Sequence, residues 1–143
     1  MRKGFTLIEL ILVVALISII TAMSAVFYSR FLTQNAVLNT VDQLAGQLHK
    51  AQIYAMAGKQ NSNWGVNYGS QIITLYSGNS YDTRTAAFDE KFTVNSNISV
   101  SGLTDLNYAR VTGLPIPTET TMTISGNNNT KTITVNSYGV VNR

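Results

Sequence analysis

Cysteine is absent from the 143 residues, which excludes a disulfide framework, thiolate metal sites and cysteine nucleophiles. Histidine occurs once, at His49, with no companion suited to metal binding or proton transfer; a packed or solvent-facing side chain is expected there. Proline is confined to Pro115 and Pro117, so nothing before them imposes the kink that proline gives a helix. Charged residues make up only 12% of the chain, and none falls between Leu10 and Ser29. The adjacent carboxylates Asp89 and Glu90 would point to opposite faces of a strand. With no reactive constellation, an enzyme is not expected, and neither is a cofactor.

The formal charge of +3 is also less than it looks. Two of the ten basic residues, Arg2 and Lys3, precede the apolar run, and a chain beginning at Phe5 has eight basic against seven acidic side chains. The basic isoelectric point therefore does not argue for a nucleic-acid partner. Arg84, Lys91, Arg110, Lys131 and Arg143 are scattered along the sequence and read as solvated charge, although folding could gather some into a patch facing DNA.

What the chain does contain is Leu10 to Ser29, twenty uncharged residues that as a helix cover about 30 Å, the thickness of a hydrocarbon core. Arg2 and Lys3 lie before this run and Arg30 closes it, which favours a cytoplasmic N-terminus with the rest of the chain outside. A carboxylate, Glu9, stands at its mouth, where charge is costly, about 2.5 to 3.5 kcal/mol at mid-depth and less near the interface. Such a group needs a partner or a place in the headgroup layer. A secretory signal is the competing reading: Arg2-Lys3 as its charged region, Leu10 to Ile20 as its apolar region, Ala22-Met23-Ser24 as its cut site. Against it, Glu9 interrupts the apolar region and the helical pattern runs through the supposed cut site.

The octapeptide Lys3-Gly4-Phe5-Thr6-Leu7-Ile8-Glu9-Leu10 resembles the processing and methylation motif of type IV pilins and type II secretion pseudopilins. The resemblance implies that a prepilin peptidase cuts between Gly4 and Phe5 on the cytoplasmic face and methylates the Phe5 amine, leaving the apolar helix attached. Gly4, lacking a side chain, lets the backbone enter a protease cleft closely. The new amine, with a reference pKa of about 7.7 to 8.0, is largely cationic near neutral pH. The implied assembly contact is a salt bridge between Glu9 of an incoming subunit and the Phe5 amine of its neighbour. One face of the apolar helix carries Ala15, Ser18, Ala22, Ala25 and Ser29, small side chains at steps of three and four that would let sister helices approach closely. Many family members carry a proline about twenty residues into the mature helix; this chain has Met23-Ser24-Ala25-Val26-Phe27 there.

Beyond Arg30, Val37, Val41, Leu44, Leu48, Ala51 and Ala55 alternate in steps of four and three, predicting an amphipathic continuation with Gly58 as its stop. Gly46 is a tolerated weak point. Phe5 to Ala57 would then form one helix of about 80 Å. From Trp64 the period becomes two: Ile98 and Val100, Met122 and Ile124, and Ile133 and Val135 alternate with serine, threonine or asparagine. Residues 125 to 130, Ser-Gly-Asn-Asn-Asn-Thr, supply a hairpin turn. Further strands are expected at Trp64 to Tyr68, Gln71 to Ser77, Lys91 to Asn95 and Asn107 to Thr112. Leu114-Pro115-Ile116-Pro117 reads as an ordered or edge-blocking loop.

The fold expected is α+β: a long N-terminal helix, transmembrane in its first half and amphipathic in its second, packed on a small antiparallel sheet. The divisions are a leader, 1–4; an anchor, 5–30; an amphipathic continuation, 31–58; and a β head, 59–143. The long helix, the aromatic-glycine start at Trp64-Gly65, a meander and a closing strand ending near Tyr138-Gly139-Val140 are similar to the H-type minor pseudopilins, the GspH/FimT-like group. The implied partners are prepilin peptidase, other pilin or pseudopilin subunits and the bacterial inner membrane, with a periplasmic or surface filament as destination. A tip subunit whose head binds DNA or an adhesion partner is the alternative. Asp82 and Asp105 lie in polar stretches but lack the spacing of a calcium loop, and no metal site is expected.

Overall fold

Fifty consecutive residues, Leu7–Met56, form α1. The computed structural model describes residues 4–127 and 129–143; the side chains of residues 23–26 lie outside the description. Two compact units emerge, Met1–Leu32 and Thr33–Arg143.

In the first unit every large apolar side chain from Phe5 to Leu32 that is described is exposed, Leu10 at 60% and Ile17 at 57%. This part of α1 is long and apolar enough to cross a membrane. Its hydroxyls are turned inward: Ser18 Oγ donates to Val14 O at 2.7 Å and Thr21 Oγ1 to Ile17 O at 2.8 Å. Such bonding to the preceding turn satisfies groups for which lipid offers no partner.

In the second unit the helical stripe predicts the core. Val37, Val41, Leu44, Leu48, Ala51 and Ala55 are all buried, joined by Ala45 and Thr40. The apolar ones share one cluster with Trp64, Val66, Leu75, Leu106, Ile124 and Ile133, so the stripe is buried by the chain's own strands. α1 stops before Gly58, which adopts a left-handed φ of 62°, a conformation glycine reaches without the penalty a Cβ would bring.

Two antiparallel sheets form the head. The first takes β1 (Trp64–Gly69), β2 (Ile72–Ser77), β3 (Glu90–Thr93), β5 (Asp105–Tyr108) and β6 (Pro115–Ile116) in the order β3-β2-β1-β5-β6. The second takes β4 (Ser99–Ser101), β7 (Thr120–Gly126), β8 (Asn129–Val135) and β9 (Val141–Asn142) in the order β4-β7-β8-β9. The expected hairpin is β7 and β8, with Met122 opposite Ile133 and both buried. All three alternating apolar pairs named from period two are buried.

Four details differ from expectation, each for a local reason. The strand expected at Asn107 to Thr112 is Asp105–Tyr108, because the chain reverses afterwards: Gly113 takes a φ of 66° and Val111 one of 72°, and Val111 N–H donates to Ala55 O of α1 at 2.9 Å. The Lys91 to Asn95 strand ends at Thr93, since Asn95 Oδ1 accepts from Asn97 N–H at 2.9 Å and turns the chain. Pro115 and Ile116, expected in a loop, pair with Tyr108 and Asn107 as an outermost strand, a place where a missing N–H costs no ladder bond. The strand expected to end near Tyr138 to Val140 stops at Val135. Asn136 Oδ1 accepts from the N–H groups of Tyr138 and Val140, Gly139 takes a φ of 80°, and the strand resumes as β9.

Candidate functional site

The segment expected to be processed lies outside regular structure. Gly4, Phe5 and Thr6 precede α1, and all three are exposed. A Cβ added to Gly4 would meet nothing within 4 Å, so space around the glycine in the free chain does not demand it.

Thr6 then starts the helix. Its Oγ1 accepts from Glu9 N–H at 3.4 Å, and its carbonyl accepts from Leu10 N–H at 3.2 Å. Thr6 thus occupies the N-cap, and Glu9 stands three residues on in the first turn, the spacing of a capping box. The carboxylate there also complements the positive end of the helix dipole. This role was readable from Thr6-Leu7-Ile8-Glu9, since a hydroxyl residue followed three positions later by glutamate before an apolar run is a helix-start signal. Glu9 is exposed, as Phe5 is at 81%. Phe5, Leu10, Val13 and Val14 line an apolar groove of about 340 Å³ on this unit.

Of the small-residue face, Ala15, Ser18, Ala22 and Ser29 are exposed along α1, while the Ala25 side chain lies outside the described residues. Arg2 and Lys3 also lie outside them.

In the head, the titratable groups that looked scattered are knitted together. Arg84 Nε donates to both oxygens of Asp89, at 2.9 and 3.2 Å, and its Nη1 to Tyr81 O at 2.7 Å. The guanidinium also lies over the Tyr81 ring at 3.8 Å. Asp105 accepts from Tyr76 Oη at 2.5 Å and from Tyr81 N–H at 3.2 Å. These bonds fasten the loop between β2 and β3. They also raise the Arg84 pKa, chiefly through its hydrogen bond to Asp89. The Tyr76 pKa is raised by burial first and by Asp105 as well, while Asn107 works against the shift.

Gly65 makes the Tyr76 position possible. It lies opposite Tyr76 on one side and Asn107 on the other, and a Cβ there would overlap the Tyr76 ring and come within 2.9 Å of Leu106 O. This network was invisible to spacing arguments, because its members are as many as 31 residues apart.

Arg143 pairs with Asp42, Arg110 with Asn61, and Lys91 Nζ lies 3.9 Å from Asp89. Lys50 pairs with Glu90 at 2.6 Å, and this hydrogen bond raises its pKa. Of the side chains considered for a DNA-facing patch, Arg84 and Lys91 share Asp89 and Arg143 meets Asp42, while Arg110 bonds the neutral Asn61. Asp105 accepts one hydrogen bond on each carboxylate oxygen, from the sheet and from the loop. Among the described residues no group of three or more metal-ligating side chains gathers, and His49 is exposed on α1.

A capped helix, apolar and exposed in its first half and buried by antiparallel strands in its second, gives the chain an α+β architecture. Residues 1–25 match the family described as the prokaryotic N-terminal methylation motif. The fold is similar to that of the minor pseudopilin EpsH from the Type 2 Secretion System of Vibrio cholerae, with a TM-score of 0.56 and 11% sequence identity over 74% of this chain and 94% of that one. No curated protein matched the sequence. The motif match is confined to residues 1–25, and the likeness to EpsH is one of fold.

Proposed function

We propose that the chain is a minor pilin or pseudopilin, cut between Gly4 and Phe5 by prepilin peptidase, methylated at Phe5 and polymerised through α1. The divisions that follow are a leader, 1–4, an anchor, 5–30, an amphipathic continuation, 31–58, and a head, 59–143. The observation that carries the proposal is the N-terminal arrangement. An exposed, non-helical Gly4-Phe5-Thr6 segment stands directly before a capped helix whose first turn bears Glu9. A peptidase needs backbone free of helix, and Gly4 to Thr6 lie outside α1; cutting there would set a cation near the carboxylate.

In this reading the subunit waits in the inner membrane with its N-terminus cytoplasmic and its head outside. Glu9 of the incoming copy meets the Phe5 amine of a copy already in the filament, and each charge relieves the other's burial. Ala15, Ser18, Ala22, Ala25 and Ser29 form the close-approach face between helices.

N-terminal sequencing and mass spectrometry of the membrane-extracted chain test processing: N-methylated Phe5 as the first residue is expected. A chain beginning at Ala25 would show an ordinary signal peptide and defeat the proposal. For assembly, Glu9→Ala is expected to leave the chain processed and membrane-bound but to abolish its recovery in sheared filaments. Undiminished recovery would remove the charge pair from the mechanism.

A further inference from the structure

The second unit leaves nine large apolar side chains exposed, and six of them sit on segments that meet. They are Met56 at the end of α1, Val111 and Leu114 in the loop after β5, Ile116 on β6, and Tyr138 and Val140 in the turn before β9. Tyr138 is the most exposed of them, at 75%. Gln52 of α1 ties loop and turn together, its Nε2 donating to Gly113 O at 3.2 Å and to Tyr138 O at 3.0 Å. The fit is close. A Cβ on Gly139 would come within 2.9 Å of Gly113 O, and one on Gly113 within 2.5 Å of Met56 Cγ.

Contiguous exposed apolar side chains rimmed by polar ones mark an interaction surface. This one is ordered in advance: Asn136 Oδ1 and Gln52 hold the backbone that presents Tyr138, which spares a partner that ordering cost. An added strand is a poor occupant, because Pro115 and Pro117 at the β6 edge have no N–H to offer a ladder. Contact here is made by side chains.

Charge at the rim identifies the partner. Arg110, beside Val111, bonds through its side chain only to the neutral Asn61. Glu119 precedes Thr120, which lies opposite Val135 and so brings the carboxylate-bearing residue beside the Tyr138 turn. Both residues are exposed, and neither has an oppositely charged partner among the described residues. Asn107 and Ile116 face each other in an antiparallel pair, so the chain leaves that pair toward Arg110 at one end and toward Glu119 at the other. An apolar centre with one unmatched charge of each sign on opposite sides is its own complement. A two-fold axis through the centre sets Arg110 of each copy against Glu119 of the other, and tyrosine and arginine are residue types that carry much of the energy of such contacts. We propose that this face joins two copies of the chain in a two-fold dimer, the apolar side chains inside and the two Arg110 and Glu119 pairs at the rim. Such pairing involves the second unit alone and stands or falls independently of processing at Gly4.

The lack of native cysteine makes the pairing directly testable in the full chain, solubilised in a mild detergent. Arg110→Cys chains mixed with Glu119→Cys chains and oxidised with copper phenanthroline are expected to give a disulfide-linked dimer, several-fold more than either variant alone or than Ala87→Cys, which gauges random collision. Adding Tyr138→Ala to both should abolish the excess. Sedimentation of the unsubstituted chain should show a dimer that Arg110→Glu or Glu119→Arg weakens several-fold and that the two reversals together restore, since like charges then become opposite again. A yield no greater than that of Ala87→Cys, a double reversal that fails to restore the dimer, or a series of species larger than a dimer overturns the two-fold pairing.

Discussion

Tyr108 and Tyr76 illustrate how two buried phenols can do opposite things. Tyr108 is fully buried, and its hydroxyl has no hydrogen-bond partner among the described residues. Tyr108→Phe therefore removes an unsatisfied group, and thermal melts of the detergent-solubilised chain should show stability unchanged or raised by about 1 kcal/mol. Tyr76→Phe strips a donor from Asp105 and should lower stability by about 1 to 3 kcal/mol.

Burial raises the pKa of both phenols above the ordinary value. Above about pH 10 the unfolded chain releases these protons while the folded chain keeps them. Stability is therefore whole below that pH and falls as pH rises beyond it. The melting temperature should drop in that range, and less steeply in Tyr108→Phe. Gly65→Ala forces a Cβ into the Tyr76 ring and should cost about 2 kcal/mol or more, read in the same melts.

Among the elements, α1 was the most legible. Its amphipathic half obeys one rule, steps of three and four, and every residue of that stripe is buried. Leu48→Ala should cost about 2 to 5 kcal/mol, whereas Ile53→Ala, with Ile53 58% exposed on the same helix, should stay within about 0.5 kcal/mol. Comparable losses from the two would mean the helix is rotated from the position described. The Lys50 and Glu90 pair is about one-third exposed on each side, so solvent screens it; Lys50→Ala should shift stability by less than about 1 kcal/mol.

Strand limits were less legible than strand identities. Alternation located the cores of β4, β7 and β8, but their ends depend on groups that alternation ignores. Asn95 and Asn136 turn the chain with their side-chain oxygens, and Ala55, far away in sequence, accepts from Val111. The Tyr76, Asp105 and Arg84 network escaped for a similar reason: it depends on which strands are neighbours, and topology is not written in any local window.

For the whole molecule, the change of sequence pattern after Arg30 falls close to the boundary between the two units. The N-terminal motif was readable because its residues lie together within a few positions, and Thr6 adds a cap that the same window contained. What the head touches is another matter, since that depends on surfaces assembled from distant turns.

The loop from Gly78 to Asp89 carries one such consequence. Its conformation is already fixed by Tyr81, Arg84, Asp89 and Asp105, leaving little ordering for a ligand to impose. An antibody fragment raised against the folded protein at this loop would dock on it as a rigid epitope, at about 10⁵ to 10⁷ M⁻¹s⁻¹, and would ignore the same twelve residues as a linear peptide.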